Sequence, residues 1–210
     1  RQQTMNYRPI SLLPTFSKIL ERIVYKRLYS FLKIHNILTS SQYGFRESLS
    51  TESAILELQN RIAHTLSSCD WCLGVFLDLS KAFDTINHSI LLQKLSSYGV
   101  RGLPLSWFRN YLSNRSQYVS IANTHSEKMS ISCGVPQGSI LGPLLFLIYV
   151  NDISNAVINS QIRLYADDTV VFCQGSNCDD VNSALQESIH NLSEWYKDNN
   201  LLLNASKSEV

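Results

Sequence analysis

Ile162-Arg163-Leu164-Tyr165-Ala166-Asp167-Asp168-Thr169-Val170-Val171-Phe172-Cys173 sets two short apolar runs, Ile162 to Ala166 and Thr169 to Cys173, on either side of a pair of carboxylates. Runs of this length, rich in β-branched and aromatic residues and broken by two turn formers, predict a β-hairpin. An Asp pair at a tight turn is ordinary in itself, because Asp bonds its own backbone and tolerates turn dihedrals. A third carboxylate changes the reading. Asp78 follows the apolar run Val75-Phe76-Leu77, inside a predicted buried strand from Trp71 to Leu79. If both elements lie in one sheet, Asp78, Asp167 and Asp168 converge at the ends of neighbouring strands. Unpaired, such a cluster repels itself, and one member would have to hold a proton. Mg2+ takes hard oxygens from one or two carboxylates and completes its shell with water and substrate phosphates. Two such ions about 3.5–4 Å apart can hold both the attacking and the leaving oxygen of an in-line phosphoryl transfer. The arrangement suits nucleotidyl transfer.

Outward from this centre the pattern is mixed. Phe16, Ile19, Leu20, Ile23, Val24, Leu28, Phe31 and Leu32 form a helical stripe over 15–34, with Lys18, Glu21, Arg22, Lys26 and Arg27 off it. Those four cations could grip a template backbone or simply form the solvated side of an amphipathic helix. A polar turn at 39–46 precedes a second helix over about 51–64. A short helix over 88–98 is closed by Gly99, and another spans about 105–111. Two alternating stretches, 117–122 and 128–133, predict a hairpin, and an apolar helix is expected over about 139–153. A helix over about 179–199 and a short strand at 201–203 close the chain. Strands and helices do not alternate regularly, so the expected class is α+β.

Composition bounds the rest. With 210 residues, 44% hydrophobic and 17% charged, the chain can bury a sizeable core and is neither disordered nor fibrous. The longest apolar run, Ile140 to Val150, is 11 residues interrupted by Gly142 and Pro143, too short to span a bilayer. Residues 1–25 carry no secretory signal pattern, and no membrane partner is expected. Net charge is +1, but residues 1–64 hold nine Lys/Arg against four Asp/Glu while the remainder holds nine against thirteen. A basic first third with an acidic remainder suits a protein gripping polyanions with one part and metal cations with another; differently charged solvated faces would look the same. The ends read as those of a segment of something larger, since the chain starts at Arg1 without Met and stops within 206–210.

The loop Gly134-Val135-Pro136-Gln137-Gly138-Ser139 fixes a tight path on which backbone can approach a ligand. Gln137 adds an amide that both donates and accepts. Alone, the loop is equally readable as a structural turn.

Five segments in order carry a resemblance. Asn6-Tyr7-Arg8-Pro9-Ile10-Ser11, Gln42-Tyr43-Gly44-Phe45-Arg46, Leu77-Asp78-Leu79-Ser80-Lys81-Ala82-Phe83-Asp84, the Gly134–Ser139 loop and Tyr165-Ala166-Asp167-Asp168 resemble reverse transcriptases, in the version of non-LTR (LINE-type) retrotransposons. The resemblance covers nearly the whole chain. It implies a right-hand polymerase with fingers and palm present and the thumb missing, the palm an antiparallel sheet with helices packed on one face. Residues 1–70 would be mostly fingers and 71–210 mostly palm, with 99–135 partly fingers.

The resemblance also implies roles. Asp78 and Asp167 match the catalytic metal ligands, and Asp168 matches the second position of the pair and supports the site less directly. Leu79 would lend its backbone carbonyl to one of two Mg2+ ions, Mn2+ being the alternative cation. Phe83 matches the aromatic residue beneath the sugar of the incoming nucleotide, where a bulky ring excludes a 2′-hydroxyl and favours dNTP. Arg8 matches a residue contacting the triphosphate, where guanidinium pairing can be bidentate. Gln137 matches a residue lining the nucleotide pocket, Arg46 a template contact, and Lys207 a lysine that aids pyrophosphate departure. Asp84 and His88 are assigned structural work, Asp84 bonding nearby backbone and His88 standing near a helix start. The expected partners are an RNA template, a DNA primer, dNTP and the rest of a parent polyprotein that includes a thumb and an endonuclease. The family's habit of copying at chromosomal DNA implies the nucleus.

Other readings share some of these residues. An RNA-dependent RNA polymerase has the same carboxylates, but Phe83 argues against it. A catalytically inactive nucleic-acid-binding remnant would keep the fold, although the three aspartates are intact, and without a thumb this stretch alone would bind primer–template too weakly to extend it. Five cysteines and no secretory signal imply reduced thiols. Cys69, Cys72, Cys173 and Cys178 have spacings that a zinc site could use. Against that, the resemblance requires no metal there, and Cys is commonly a small buried apolar residue.

Overall fold

The computed structural model describes residues 10–122 and 124–209. In chain order the elements are α1 (Thr15–Ile34), α2 (Thr51–Ser67), β1 (Trp71–Leu77), α3 (His88–Ser97), α4 (Leu103–Leu112), β2 (Arg115–Gln117), β3 (Ser120–Ile121), β4 (Thr124–His125), β5 (Met129–Ile131), α5 (Gly142–Val150), β6 (Gln161–Tyr165), β7 (Asp168–Gly175) and α6 (Cys178–Asp198).

Helix starts follow local chemistry. The Ser50 and Ser53 side chains cap each other's backbone N–H at the start of α2. Asn87 accepts from Ser89 and Ile90 at the start of α3, and Asn177 accepts from Asp179 at the start of α6. Helix α5 carries no charged residue and is apolar all round, so it can exist only in the interior. All its residues but Pro143 are buried.

The central sheet has the order β1-β7-β6, antiparallel throughout. Because alternate residues face opposite ways, the register sorts its two faces. Leu77, Val75, Thr169, Val171, Ile162 and Leu164 share one face, which joins Leu144, Leu145, Phe146, Ile148 and Leu192 in a single core cluster or abuts it. Helix α6 packs on this face, and the Tyr196 hydroxyl meets Thr169 Oγ1 at 3.2 Å. Burial there pushes the Tyr196 phenol up to about 12. The other face carries Phe76, Val170, Phe172, Gln174 and Arg163. Helix α2 crosses part of it: Thr65 bonds Gln174, and Glu57 pairs with Arg163. Phe76, nearer the carboxylate end, stays half-exposed.

Three sequence readings are corrected. The expected hairpin of 117–122 with 128–133 is two smaller ladders, β2 with β5 and β3 with β4. These strands are two or three residues long and mostly exposed, so no buried face fixes a longer register. The long helix over 139–153 is α5 alone, followed by a 3-10 turn at Ile153–Ala156. The strand at 201–203 reduces to a bridge between Leu79 and Leu203.

The stripe on α1 is covered only in its C-terminal half. Leu28 and Leu32 are buried, whereas Phe16, Ile19, Leu20 and Ile23 are exposed. Glu21 is buried instead. Its carboxylate accepts from the backbone N–H of Ile140 (2.7 Å) and Leu141 (3.3 Å) and from the Tyr111 hydroxyl (2.9 Å). It thus satisfies donors just ahead of α5, where the helix dipole favours an anion. No described helix is long and apolar enough to cross a membrane.

Candidate active site

The register places the carboxylates. Leu77 pairs with Thr169 as the last residue pair of β1 and β7, Asp78 directly follows Leu77, and Asp168 directly precedes Thr169. On the other side Tyr165 pairs with Asp168, so Ala166 and Asp167 form a two-residue turn. Asp78, Asp167 and Asp168 therefore lie at the same end of the sheet. Asp78 and Asp167 are half-buried and Asp168 is exposed.

Asp78 is held from the C-terminal segment. The Asn204 N–H donates to the Asp78 carbonyl (2.9 Å), and Asn204 Nδ2 donates to Asp78 Oδ2 (3.0 Å). Lys207 Nζ lies 3.6 Å from the same oxygen. Leu79, the next residue, is buried and bridged to Leu203. Among the described residues, no group of three or more His, Cys, Asp or Glu side chains is gathered closely enough to hold a metal ion. The donor chemistry nonetheless fits a divalent cation, since three carboxylates at one sheet end are hard anionic oxygens, with no soft ligand among them. Among the described residues the cysteines form no such group either. Cys173 is buried and Cys69 exposed, and Cys72 and Cys173 lie toward the sheet end remote from Asp78.

The loops at this end are stitched together. Phe83 stacks on Phe146 of α5 at 4.7 Å between ring centroids and meets Phe45 edge-on at 6.1 Å. Its carbonyl accepts from Val135, and the Gly134 N–H donates to Ile86. Gly134 has φ 83°, and a Cβ there would lie 2.7 Å from the Asp84 carbonyl oxygen, so only glycine fits this crossing. Gln137 Nε2 donates to Asp84 Oδ1 at 3.2 Å. Asp84 thus takes a side-chain amide rather than the backbone partner expected of it. His88 opens α3 and its Nε2 bonds the Gly134 carbonyl at 2.7 Å.

Two predicted residues stand differently. Arg46 is half-buried, and its Nη1 donates to the Thr39 carbonyl at 2.6 Å, which ties it into its own loop. Arg8 lies outside the described residues.

Sequence reasoning assigned no role to Gln42, Gly44 or Asn204. Segment 41–44 runs parallel to β6 and covers its free edge: Leu164 donates to Ser41 (2.9 Å) and Tyr43 donates to Leu164 (2.8 Å). From there Gln42 reaches Ala166 in the carboxylate turn. Nothing in the local pattern singles Gln42 out, since its partner lies 124 residues away in sequence.

An antiparallel three-stranded sheet with carboxylates at its end, backed by helices and flanked by glycine-containing loops, is the palm of a template-copying polymerase. The profile described as "Reverse transcriptase (RNA-dependent DNA polymerase)" matches residues 1–210, and the chain belongs to that family. It is 33% identical over 215 residues to the probable RNA-directed DNA polymerase from transposon X-element of Drosophila melanogaster, covering 99% of this chain and 23% of the relative. It is 31% identical to the RNA-directed DNA polymerase from mobile element jockey of the same species, over 96% of this chain and 23% of the relative. The chain thus spans under a quarter of the length of these curated relatives. Apo telomerase from Candida tropicalis superposes with a TM-score of 0.62 at 13% identity, over 91% of this chain and 36% of that one. At that identity the likeness shows the fold, which is the α+β fingers-and-palm fold expected from the sequence.

Proposed function

We propose that this chain is the catalytic centre of an RNA-directed DNA polymerase from a non-LTR retrotransposon, joining dNTP to a primer 3′-hydroxyl on an RNA template. The observation that carries the reading is the register of β1, β7 and β6, which brings Asp78, Asp167 and Asp168 to one sheet end.

Reverse transcriptases use divalent metal ions. Asp78, Asp167, Asp168 and the Leu79 carbonyl would hold two Mg2+, which when bound offset the charge developing on the attacking and leaving oxygens. The remaining work falls to the chain itself. The reaction joins the primer 3′-oxygen to the α-phosphorus of the dNTP, the hydroxyl proton passes to solvent water, and the bond to pyrophosphate breaks. Lys207 carries a cation to the edge of the carboxylate group, where it can meet the departing pyrophosphate. Phe83, wedged between Phe146 and Phe45, presents a flat ring that leaves no space for a ribose 2′-hydroxyl. Gln137, steadied by Asp84, lines the nucleotide pocket, and Arg8 pairs with the triphosphate. Arg46 holds the loop that approaches the template, and its bond to Thr39 leaves it a lesser part in direct contact. Residues 1–70 and part of 99–135 act as fingers. The rest of a parent polyprotein supplies the thumb, and the reaction takes place in the nucleus.

The test is extension of a DNA primer on an RNA template by a thumb-containing protein that includes this chain, against Asp167→Ala and Phe83→Ala. Extension abolished by Asp167→Ala, with ribonucleotide use rising in Phe83→Ala, supports the reading. Extension that survives Asp167→Ala overturns the site. An inactive parent that still binds primer–template makes the chain a nucleic-acid-binding remnant.

A further inference from the structure

We propose that Gln42 is a positioning residue for Asp167, acting through the backbone of Ala166. The proposal rests on the polymerase reading for its consequence, though not for its geometry.

Two-residue hairpin turns need positive φ at their first central residue, which is why Gly, Asn or Asp usually stands there. Here that residue is Ala166, at φ 55°. An alanine in the left-handed region is strained by its Cβ, and such residues persist only where their surroundings over-determine them. Gln42 supplies that determination. Its Oε1 accepts from the Ala166 N–H at 3.0 Å, and its Nε2 donates to the Ala166 carbonyl at 3.3 Å. The same Oε1 accepts from the Gly44 N–H at 2.8 Å, which fixes the amide's own orientation. The side chain is 2% exposed, so these bonds do not compete with bulk water.

The approach is possible only because Gly44 lacks a side chain. A Cβ there would lie 2.2 Å from the Ala166 nitrogen. Asp167 is the next residue, so the dihedrals Gln42 holds at Ala166 set where the Asp167 carboxylate points. Misplacement of a reacting group by about 1 Å can lower a rate on the order of 100-fold. Gln42 thus lets a loop 124 residues away in sequence set the aim of a catalytic carboxylate.

Gln42→Met keeps the volume and removes all three hydrogen bonds. Amide hydrogen exchange on the chain should show the Ala166 N–H exchanging at least about ten-fold faster in Gln42→Met, with the β7 amides unchanged. An unchanged Ala166 rate overturns the brace whether or not the protein is a polymerase. In the active, thumb-containing protein, kcat should fall about 10- to 100-fold in Gln42→Met while KM for dNTP stays within about two-fold. Ala166→Gly in that background should restore kcat by at least about three-fold, because glycine adopts positive φ unaided. A packing role would show no such rescue, and its absence overturns the proposal. Should Asp167→Ala abolish extension while Gln42→Met extends normally, the positioning role fails and the polymerase reading stands. Should extension be indifferent to Asp167→Ala, the polymerase reading fails, and amide exchange still decides the brace.

Discussion

Lys207 holds its ammonium 3.6 Å from Oδ2 of Asp78, the oxygen that also accepts from Asn204 Nδ2. The pair crosses from the C-terminal segment to the end of β1, and Lys207 is 63% exposed at its side chain. An ion pair that open adds about 0–1 kcal/mol to stability. Its importance therefore lies in charge placed beside the carboxylates. Lys207→Met should lower kcat for primer extension about ten-fold while shifting Tm by no more than roughly 2–4 °C. Parallel kinetics and thermal melts check this. A large fall in Tm with unchanged kcat would make Lys207 a structural strut.

Gly44 carries a sharper expectation. A Cβ there would sit 2.2 Å from one backbone nitrogen and 2.9 Å from the Cα of Ala166. Neither atom can swing aside as a side-chain tip could, so Gly44→Ala must push segment 41–44 off the turn. Overpacking of this kind costs about 1–3 kcal/mol, or roughly 2–4 °C of Tm per kcal/mol for a chain of this size. Extension should fall further than that loss of stability explains, because the displaced atoms belong to the residue before Asp167. Thermal melts and kcat on the same variant test it, and a Gly44→Ala protein of normal Tm and kcat would contradict the close approach.

How much of this was readable in the sequence depended on sequence distance. Helix α1 was found with its bounds, because 20 residues of period-3.6 pattern outweigh any local ambiguity. The carboxylate hairpin was found because two apolar runs flank the turn formers, but its turn lies one residue earlier than expected, at Ala166 and Asp167, with Asp168 opening β7. The ladders between 115 and 131 were drawn too long, since exposed strands of two or three residues leave no period to count. On α1 the stripe was visible, but the burial of Glu21 was not. That depends on N–H groups at 140 and 141 that need an acceptor, about 120 residues away. The same holds for Gln42 and Asn204. Their partners, Ala166 and Asp78, are 124 and 126 residues away, and neither position is unusual in its local pattern.

Glu57 should make the fold acid-sensitive. Its carboxylate receives the Tyr43 hydroxyl, both Nε and Nη2 of Arg61, and the Arg163 guanidinium, joining α2 to β6 and to segment 41–44. Burial pushes its pKa up, and the Arg163 and Arg61 guanidinium groups outweigh that, holding it below the ordinary value of 4.5. A carboxyl depressed in the folded state contributes stability that is present above its unfolded pKa and lost as pH falls through the folded one. Between pH 7 and pH 3, Tm of the parent should therefore fall more steeply than Tm of Glu57→Gln. The two curves should converge at the acid end. Parallel curves would show that the network adds nothing to folding.

Phe83 tests specificity rather than rate. Its ring is clamped on two sides, stacked on Phe146 and edge-on to Phe45, while the side chain remains half-buried. A ring so held cannot rotate away from an added hydroxyl, so discrimination against ribonucleotides should come from contact with the ring itself. Phe83→Val removes ring volume while keeping an apolar stub. Because only part of the side chain is buried, the loss of stability should be about 1–2 kcal/mol, below that of a fully buried Phe. The gap admits the 2′-hydroxyl, and steric terms of this size in an apolar pocket are worth about 10- to 200-fold in kcat/KM. Discrimination between dNTP and NTP should fall by that order, chiefly through a rise in kcat/KM for NTP. Competition between dNTP and NTP at a single template position measures the ratio. If Phe83→Val lowered both values equally and left the ratio unchanged, the ring would be a support for Phe146 and the loop at Phe45, and ribose selection would reside elsewhere.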